Sequence, residues 1–278
     1  MQRSRPGARV IAWLDGEPAS SLPLQSRGVL LGDAVFETMR AYAGRPFALD
    51  AHLDRLERSA AWARLRPNAP RETFARECVR AAEIVGDAAV RVFVLRGARG
   101  DGPLDSQPTH RVILAEPLDP GSSLSERGAS ACVLPHASFG TGESAHAKYA
   151  RYLPRLLARD EARARGCDDA LLSDESGRVV EAATGSVFAV VGDQLVTASV
   201  LEGITRMHVL ELARNLRIDC ALRPLEARDV ERASELFVTS SLREIVPVVR
   251  LDGRAIGEGT PGEKTRALLR AYRELTGA

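Results

Sequence analysis

Apolar residues along this chain recur with two rhythms, every second position and every third or fourth. The switches between those rhythms predict the elements. Residues 9–14 read as a short strand turned by Asp15 and Gly16, and a Pro- and Ser-rich stretch follows to Ser26. The segment RGVLLGD at 27–33 leads into 34–42, a mixed run with Val35, Phe36, Met39 and Tyr42. A turn at 43–46 precedes a short return strand at 47–49, and Asp50 suits the N-cap of the next helix. From Ala51 onward Leu53, Leu56, Ala60 and Ala63 keep helical spacing, and a second amphipathic helix covers about 71–85. Alternation returns at 89–96 and again at 110–115.

Two prolines and a glycine in EPLDPGSS, at 116–123, break any element there. They divide the chain into an N-terminal α/β domain at 1–118, a linker at 119–125 and a C-terminal α/β domain at 126–278. The second part opens with a strand at 129–134 and a Gly-, Ser- and Thr-rich loop at 135–147. A long helix follows, ending near Arg165 at Gly166, and Pro154 suits its first turn better than its interior. Strands 169–173 and 178–181 pair around Glu175, Ser176 and Gly177; strands 187–191 and 194–197 pair around Gly192 and Asp193. A helix opens at Gly203 and runs to Leu216, and a short strand ends at Leu222. Strands 235–239 and 245–251 flank a turn at 240–243, and a last helix covers about 263–275. The fold class expected is α+β.

Composition narrows the functional classes. With 45% hydrophobic residues the chain can bury a sizeable core. A formal net charge of +1 gives no electrostatic reason to expect nucleic acid or an anionic membrane. No apolar run approaches the roughly 20 residues of a membrane helix, and the first residues lack the apolar core of a signal peptide. Cys78, Cys132, Cys167 and Cys220 lie far apart, without a CxxC or metal-ligand spacing, and read as reduced thiols of a cytoplasmic protein. The five histidines are scattered, so no metal site is expected.

The chain has 38 Lys+Arg, and only Lys148 and Lys264 are lysines. Arginine stays protonated and cannot act as an amine nucleophile, whereas a lysine amine can form a Schiff base. Lys148, in HAKYARYL, is therefore the candidate covalent group; a surface lysine is the plainer alternative, and Lys264 fits it. A pyridoxal phosphate (PLP) site also needs an anion for the ring nitrogen, a cup for the phosphate and a donor near the ring hydroxyl. Tyr152 would share a helical face with Lys148 if both were helical. Glu181 ends a strand before the small residues Ala182-Ala183-Thr184-Gly185-Ser186. Ile204 and Thr205 open a helix whose N–H groups suit phosphate. Arg55 could add a fork of donors, and Ser240 and Ser241 could add hydroxyls. Each alone has a bland alternative: a packing tyrosine, a solvated glutamate, an ordinary helix start, one arginine among many, a polar turn.

In order, RGVLLGDAVFETMRAY, HLDRLERSA, KYARYL, DDALLSDESGRVVEAATGSVF, LEGITRMHVLELA and FVTSSLREIVPV resemble the class IV aminotransferase family, the fold-type IV PLP enzymes. That family includes branched-chain and D-amino acid aminotransferases and 4-amino-4-deoxychorismate lyases. The resemblance implies two α/β domains with the cofactor at their interface, in a homodimer. It implies that Lys148 carries PLP, Glu181 binds the ring nitrogen, and Arg55, Ile204, Thr205 and Ser241 hold the phosphate, with Tyr152 near the ring hydroxyl. Arg40 would lie near the substrate. Thr38 and the SLR turn at 241–243 resemble the lyases, which release pyruvate and 4-aminobenzoate on the way to folate; Ser240 and Glu244 depart from the lyase pattern. The alternative is an aminotransferase acting on a branched-chain or D-amino acid with a 2-keto acid acceptor. Arginines of the loop after the strand end, Arg96 and Arg99, could bind substrate carboxylates in either reading.

Overall fold

The computed structural model describes residues 10–98, 100, 102–118, 124–135, 146–198 and 201–278. Two compact units divide the chain: residues 1–120 with 142–151, and residues 121–141 with 152–278.

The first unit is a six-stranded antiparallel sheet in the order β2-β1-β6-β5-β3-β4. Its strands are β1 (Ile11–Leu14), β2 (Glu17–Pro18), β3 (Ala34–Tyr42), β4 (Arg45–Pro46), β5 (Ala88–Arg96) and β6 (Thr109–Pro117). A short helix α1 (Arg27–Leu31) precedes β3, and α2 (Leu49–Trp62) and α3 (Arg71–Val85) lie between β4 and β5. Val35, Met39 and Ala41 of β3 share a buried cluster with Leu53, Leu56 and Ala60 of α2 and Phe74, Cys78 and Ala81 of α3. These are the alternating and the three-to-four-spaced apolar positions of the sequence.

Three boundaries differ from the sequence expectation. The return strand is β4, not 47–49, because Ala43 and Gly44 take positive φ and turn the chain at once. Ala48, at φ 52, is then the N-cap of α2, and Asp50 sits in the first turn. Strand β6 runs on to Pro117 because Glu116 and Pro117 pair with Ala89 and Ala88, so the proposed break at 116 begins later. Of the expected linker, 119–123 lies outside the described residues, and 124–125 begin helix α4 (Leu124–Arg127). Most of the expected Gly-, Ser- and Thr-rich loop, 136–145, also lies outside them.

The second unit is a nine-stranded mixed sheet in the order β12-β11-β10-β13-β14-β7-β8-β9, with β15 on β14. Its strands are β7 (Ala129–Pro135), β8 (Asp169–Ser173), β9 (Val179–Ala182), β10 (Ser186–Val191), β11 (Gln194–Thr197), β12 (Cys220–Leu222), β13 (Glu235–Ser240), β14 (Glu244–Leu251) and β15 (Arg254–Ala255). Its helices are α4, α5 (Leu153–Ala164), α6 (Ile204–Asn215), α7 (Ala227–Arg232) and α8 (Glu263–Thr276). Pro154 stands in the first turn of α5, as its missing N–H requires, and Gly166 ends the connection at φ 78. Lys148 is thus not helical and shares no helix face with Tyr152, which is the N-cap of α5. Although Lys148 follows the linker in sequence, its backbone joins the first unit.

Candidate active site

In β3, alternation sends Val35, Glu37, Met39 and Ala41 to the core face and Phe36, Thr38 and Arg40 to the other. Glu37 is therefore a carboxylate in an apolar phase, and it is fully buried. Helix α2 answers it with a polar stripe at i, i+3 and i+7: His52, Arg55 and Ser59, all buried. Arg55 donates side-on to Glu37, Nε to Oε1 and Nη2 to Oε2, both at 2.7 Å. His52 Nδ1 lies 2.8 Å from Glu37 Oε2. Burial alone would raise the Glu37 carboxyl, but the charge and hydrogen bonds of Arg55 and the His52 contact bring it down to about 2. Burial lowers His52 below its ordinary value despite Glu37, and the charges of Arg55 and Lys148 add to the lowering, so His52 is neutral at pH 7.

The Lys148 segment lies along β3. Phe36 N–H donates to Lys148 O at 3.1 Å, and Ala150 N–H donates to Ala34 O at 2.9 Å. Lys148 N–H donates to Ser59 Oγ at 3.0 Å, tying the segment to the α2 stripe. Lys148 is half-buried, and its amine stands 4.6 Å from the centroid of the Phe36 ring. Tyr149 packs on Trp62 with ring centroids 5.3 Å apart. One unit thus holds the lysine amine, the guanidinium of Arg55 and a carboxylate that fixes that guanidinium.

Thr38 is half-buried on the other face, and the Arg40 guanidinium lies 4.4 Å over the Tyr42 ring. Arg96, expected at the substrate, has a structural position instead. It is 1% exposed; its Nε donates to Asp33 at 2.9 Å, Nη2 donates to Ala63 O at 2.8 Å, and Nη1 donates to the carbonyls of Arg64 and Leu104. A guanidinium so used pins three loops and has little left to offer a substrate. Arg99 lies outside the described residues.

In the second unit Glu181 is buried in β9 opposite Leu172. Its Oε1 accepts the Leu201 N–H at 3.0 Å, and its Oε2 accepts Arg155 Nη2 at 2.5 Å. Arg155 also lies 5.9 Å from the Tyr152 ring, so one arginine joins two of the expected cofactor residues.

Helix α6 begins at Gly203 with no side-chain cap, leaving the N–H groups of Ile204 and Thr205 without the usual capping acceptor. A Cβ at Gly203 would stand 2.6 Å from Ser186 Oγ, and one at Gly185 only 2.2 Å from Thr239 O. Ser186 pairs with Thr239 across β10 and β13, and the buried Thr239 Oγ1 has no hydrogen-bond partner among the described residues. Ser240 ends β13, and Ser241, Leu242 and Arg243 make the turn to β14. A helix start, glycines packed too tightly for a side chain, and an orphaned hydroxyl make a cup that suits a phosphate. Arg243 turns away to Asp169, 2.6 Å from its Nη1, and donates Nη2 to Thr184 Oγ1 at 3.0 Å.

Sequence reasoning missed Glu37, His52, Ser59 and Arg155. A charge in the apolar phase of β3 and a polar stripe beside Leu53, Leu56 and Ala60 were the available signals. Among the described residues no group of three or more His, Cys, Asp or Glu could hold a metal ion, and no helix is long and apolar enough to cross a membrane.

A family model described as amino-transferase class IV matches residues 34–251. A putative branched-chain-amino-acid aminotransferase of Methanocaldococcus jannaschii is 33% identical over 269 residues, spanning 93% of this chain and 92% of that protein. A branched-chain amino acid aminotransferase of T.th., solved with pyridoxamine 5'-phosphate, is similar at TM-score 0.86 and 28% identity, over 96% of this chain and 94% of that one. The 4-amino-4-deoxychorismate lyase of Pseudomonas aeruginosa is similar at TM-score 0.83 and 27% identity, over 95% of this chain and 98% of that one.

Proposed function

Because the chain belongs to the class IV aminotransferase family, we propose that it is a PLP-dependent aminotransferase acting on a branched-chain or D-amino acid with a 2-keto acid acceptor. The observation that carries the cofactor reading is the cup at the start of α6, with the orphaned Thr239 hydroxyl and the crowded Gly185 and Gly203. PLP, bound through its aldehyde carbon to an amine, supplies an electron sink for charge left on the α-carbon of an amino acid. Lys148 Nζ is the amine that would hold it and, once displaced by the substrate amine, would move the α-proton. Glu181 would accept the proton-bearing ring nitrogen, and Arg155 keeps that carboxylate charge-compensated. Ile204 and Thr205 N–H, Ser240, Ser241 and Arg55 would take the phosphate, with Glu37 holding the Arg55 guanidinium. Tyr152 would stand near the ring hydroxyl, and Thr38 and Arg40 near the substrate.

The lyase reading, favoured by Thr38 and the SLR turn, is the second candidate, and the similarity to a lyase structure supports it. It is weakened by Arg243, whose partners Asp169 and Thr184 explain that arginine without any particular substrate. A homodimer is also proposed: Leu24, Leu30 and Leu31 in one unit and Leu153, Leu156 and Leu157 in the other are exposed apolar side chains that a partner copy would cover. A cytoplasmic location is consistent with four free cysteines.

Product analysis tests the reading. The PLP-loaded protein is incubated in parallel with L-leucine or D-alanine plus 2-oxoglutarate, and with aminodeoxychorismate alone. Glutamate formed from either amino acid supports the aminotransferase. Pyruvate and 4-aminobenzoate, without glutamate, overturn it in favour of the lyase.

A further inference from the structure

The turn between β13 and β14 spans 241–243, because the two strands close at the pair Ser240 and Glu244. Glu244 takes φ 59. That left-handed region crowds Cβ against the backbone, and glycine is its usual occupant. This chain places a buried glutamate there instead. Its Oε2 accepts Arg273 Nε at 3.1 Å. Arg273 stands in the last turn of α8, and its Nη2 donates to Ser125 Oγ of α4 at 3.1 Å. The residue whose side chain strains the backbone is thus the peg that ties the turn to two helices. Arg243, the residue before it, is tied elsewhere, to Asp169 of β8 and to Thr184.

These anchors bear on the cup at the start of α6. The last rung of the β10–β13 ladder joins Ser186 to Thr239, so sheet pairing fixes the backbone that carries the Thr239 hydroxyl. Ser241 lies beyond that rung. Its place is set by the turn, and the turn is held by residues 243 and 244. The fit beside it is close: a Cβ at Gly185 would stand 3.3 Å from Ser240 Cβ as well as 2.2 Å from Thr239 O. Hydrogen bonds to an anion weaken steeply as distance and angle depart from the optimum. Donors already held in place bind more tightly than donors that must first be ordered.

We propose that Glu244, with Arg273 behind it, is a positioning residue for the phosphate cup. The ion pair holds the left-handed backbone at 244, and that backbone sets where Ser241 stands beside the start of α6. Glu244 touches no phosphate itself; it acts through the turn. The inference rests on the reading of this cup as the phosphate site.

Two ligands that differ only in the phosphate test it. The full-length protein, freed of cofactor, is titrated with PLP and with pyridoxal, and binding is followed by the ligand's absorbance. The parent binds PLP more tightly than pyridoxal. Glu244→Gln and Arg273→Met narrow that preference by about twofold to tenfold, the worth of one hydrogen bond, and leave the pyridoxal affinity as it was. Arg273→Lys, which keeps the charge, recovers part of the preference and serves if the methionine variant does not fold. Glu244→Gly, which reaches the left-handed region without an anchor, keeps more of the preference than Glu244→Gln. An undiminished preference in Glu244→Gln and Arg273→Met overturns the proposal. An equal loss for PLP and pyridoxal overturns it too, as the mark of a purely structural ion pair. A parent with no preference for PLP overturns the phosphate reading and this inference with it; failure confined to the variants leaves the phosphate reading standing.

Discussion

Replacing Glu37 by glutamine keeps the shape of a fully buried side chain and removes its charge. In the native fold the Glu37 carboxyl lies at about 2 rather than the ordinary 4.5: burial pushes it up, and Arg55 with His52 more than reverses that. The folded value is lower than the unfolded one, so the carboxylate stabilises the fold at all pH above about 4.5, and that contribution fades as pH falls toward 2. At 1.36 kcal/mol per pH unit, the difference amounts to about 3 kcal/mol. Removing one partner of a buried ion pair also strands the other, here Arg55, and typically lowers stability by about 3–5 kcal/mol. Urea unfolding of the parent and of Glu37→Gln, each from pH 7 to pH 3, reads both effects. The variant is expected to be about 3–5 kcal/mol less stable at pH 7, and the gap should narrow steadily below about pH 4.5. A gap that is as wide at pH 3 as at pH 7 would refute the ionic account and leave a packing defect as the cause.

Other perturbations separate structural from chemical roles. Arg96→Met should lower stability by about 2 kcal/mol or more, because Asp33 and three carbonyl groups lose their donor; calorimetry reads this, and a raised KM with unchanged stability would return Arg96 to the substrate. Gly185→Ala places a Cβ 2.2 Å from the Thr239 carbonyl oxygen, so a loss of about 1–3 kcal/mol in urea unfolding is expected, and a neutral result would show that β10 and β13 do not pack as closely as described. Arg155→Leu should destabilise the protein by about 2 kcal/mol, and adding Glu181→Gln should restore part of that loss; a double variant no better than the single one contradicts the pairing.

Much of the fold was legible because local chemistry and packing agree. Pro154 forced the start of α5, Gly166 its exit, and the Asp174–Gly177 region its hairpin, each through backbone preferences that need no partner. The Asp50 cap was misplaced because Ala48 adopts φ 52, a conformation that nothing in an alanine announces. Glu37 was missed for a different reason. A glutamate is usually solvated, and only its partners on α2, fifteen and eighteen residues on, make it a buried anchor. Arg96 was misjudged in the opposite direction: its loop position suggested a substrate contact, but its donors close on the chain itself. Lys148 and Glu181 stood out by composition and by the small residues around them, while Arg155, one arginine among many, carried no mark until its pairing with Glu181 was visible.

The most direct test concerns the amine. The protein is loaded with PLP, reduced with borohydride, digested, and its peptides are sequenced by mass spectrometry. With only Lys148 and Lys264 as lysines, the assignment is unambiguous. The account predicts a phosphopyridoxyl group on Lys148 alone, absent from a Lys148→Ala variant. Label on Lys264, on the N-terminus, or on no peptide at all would contradict it.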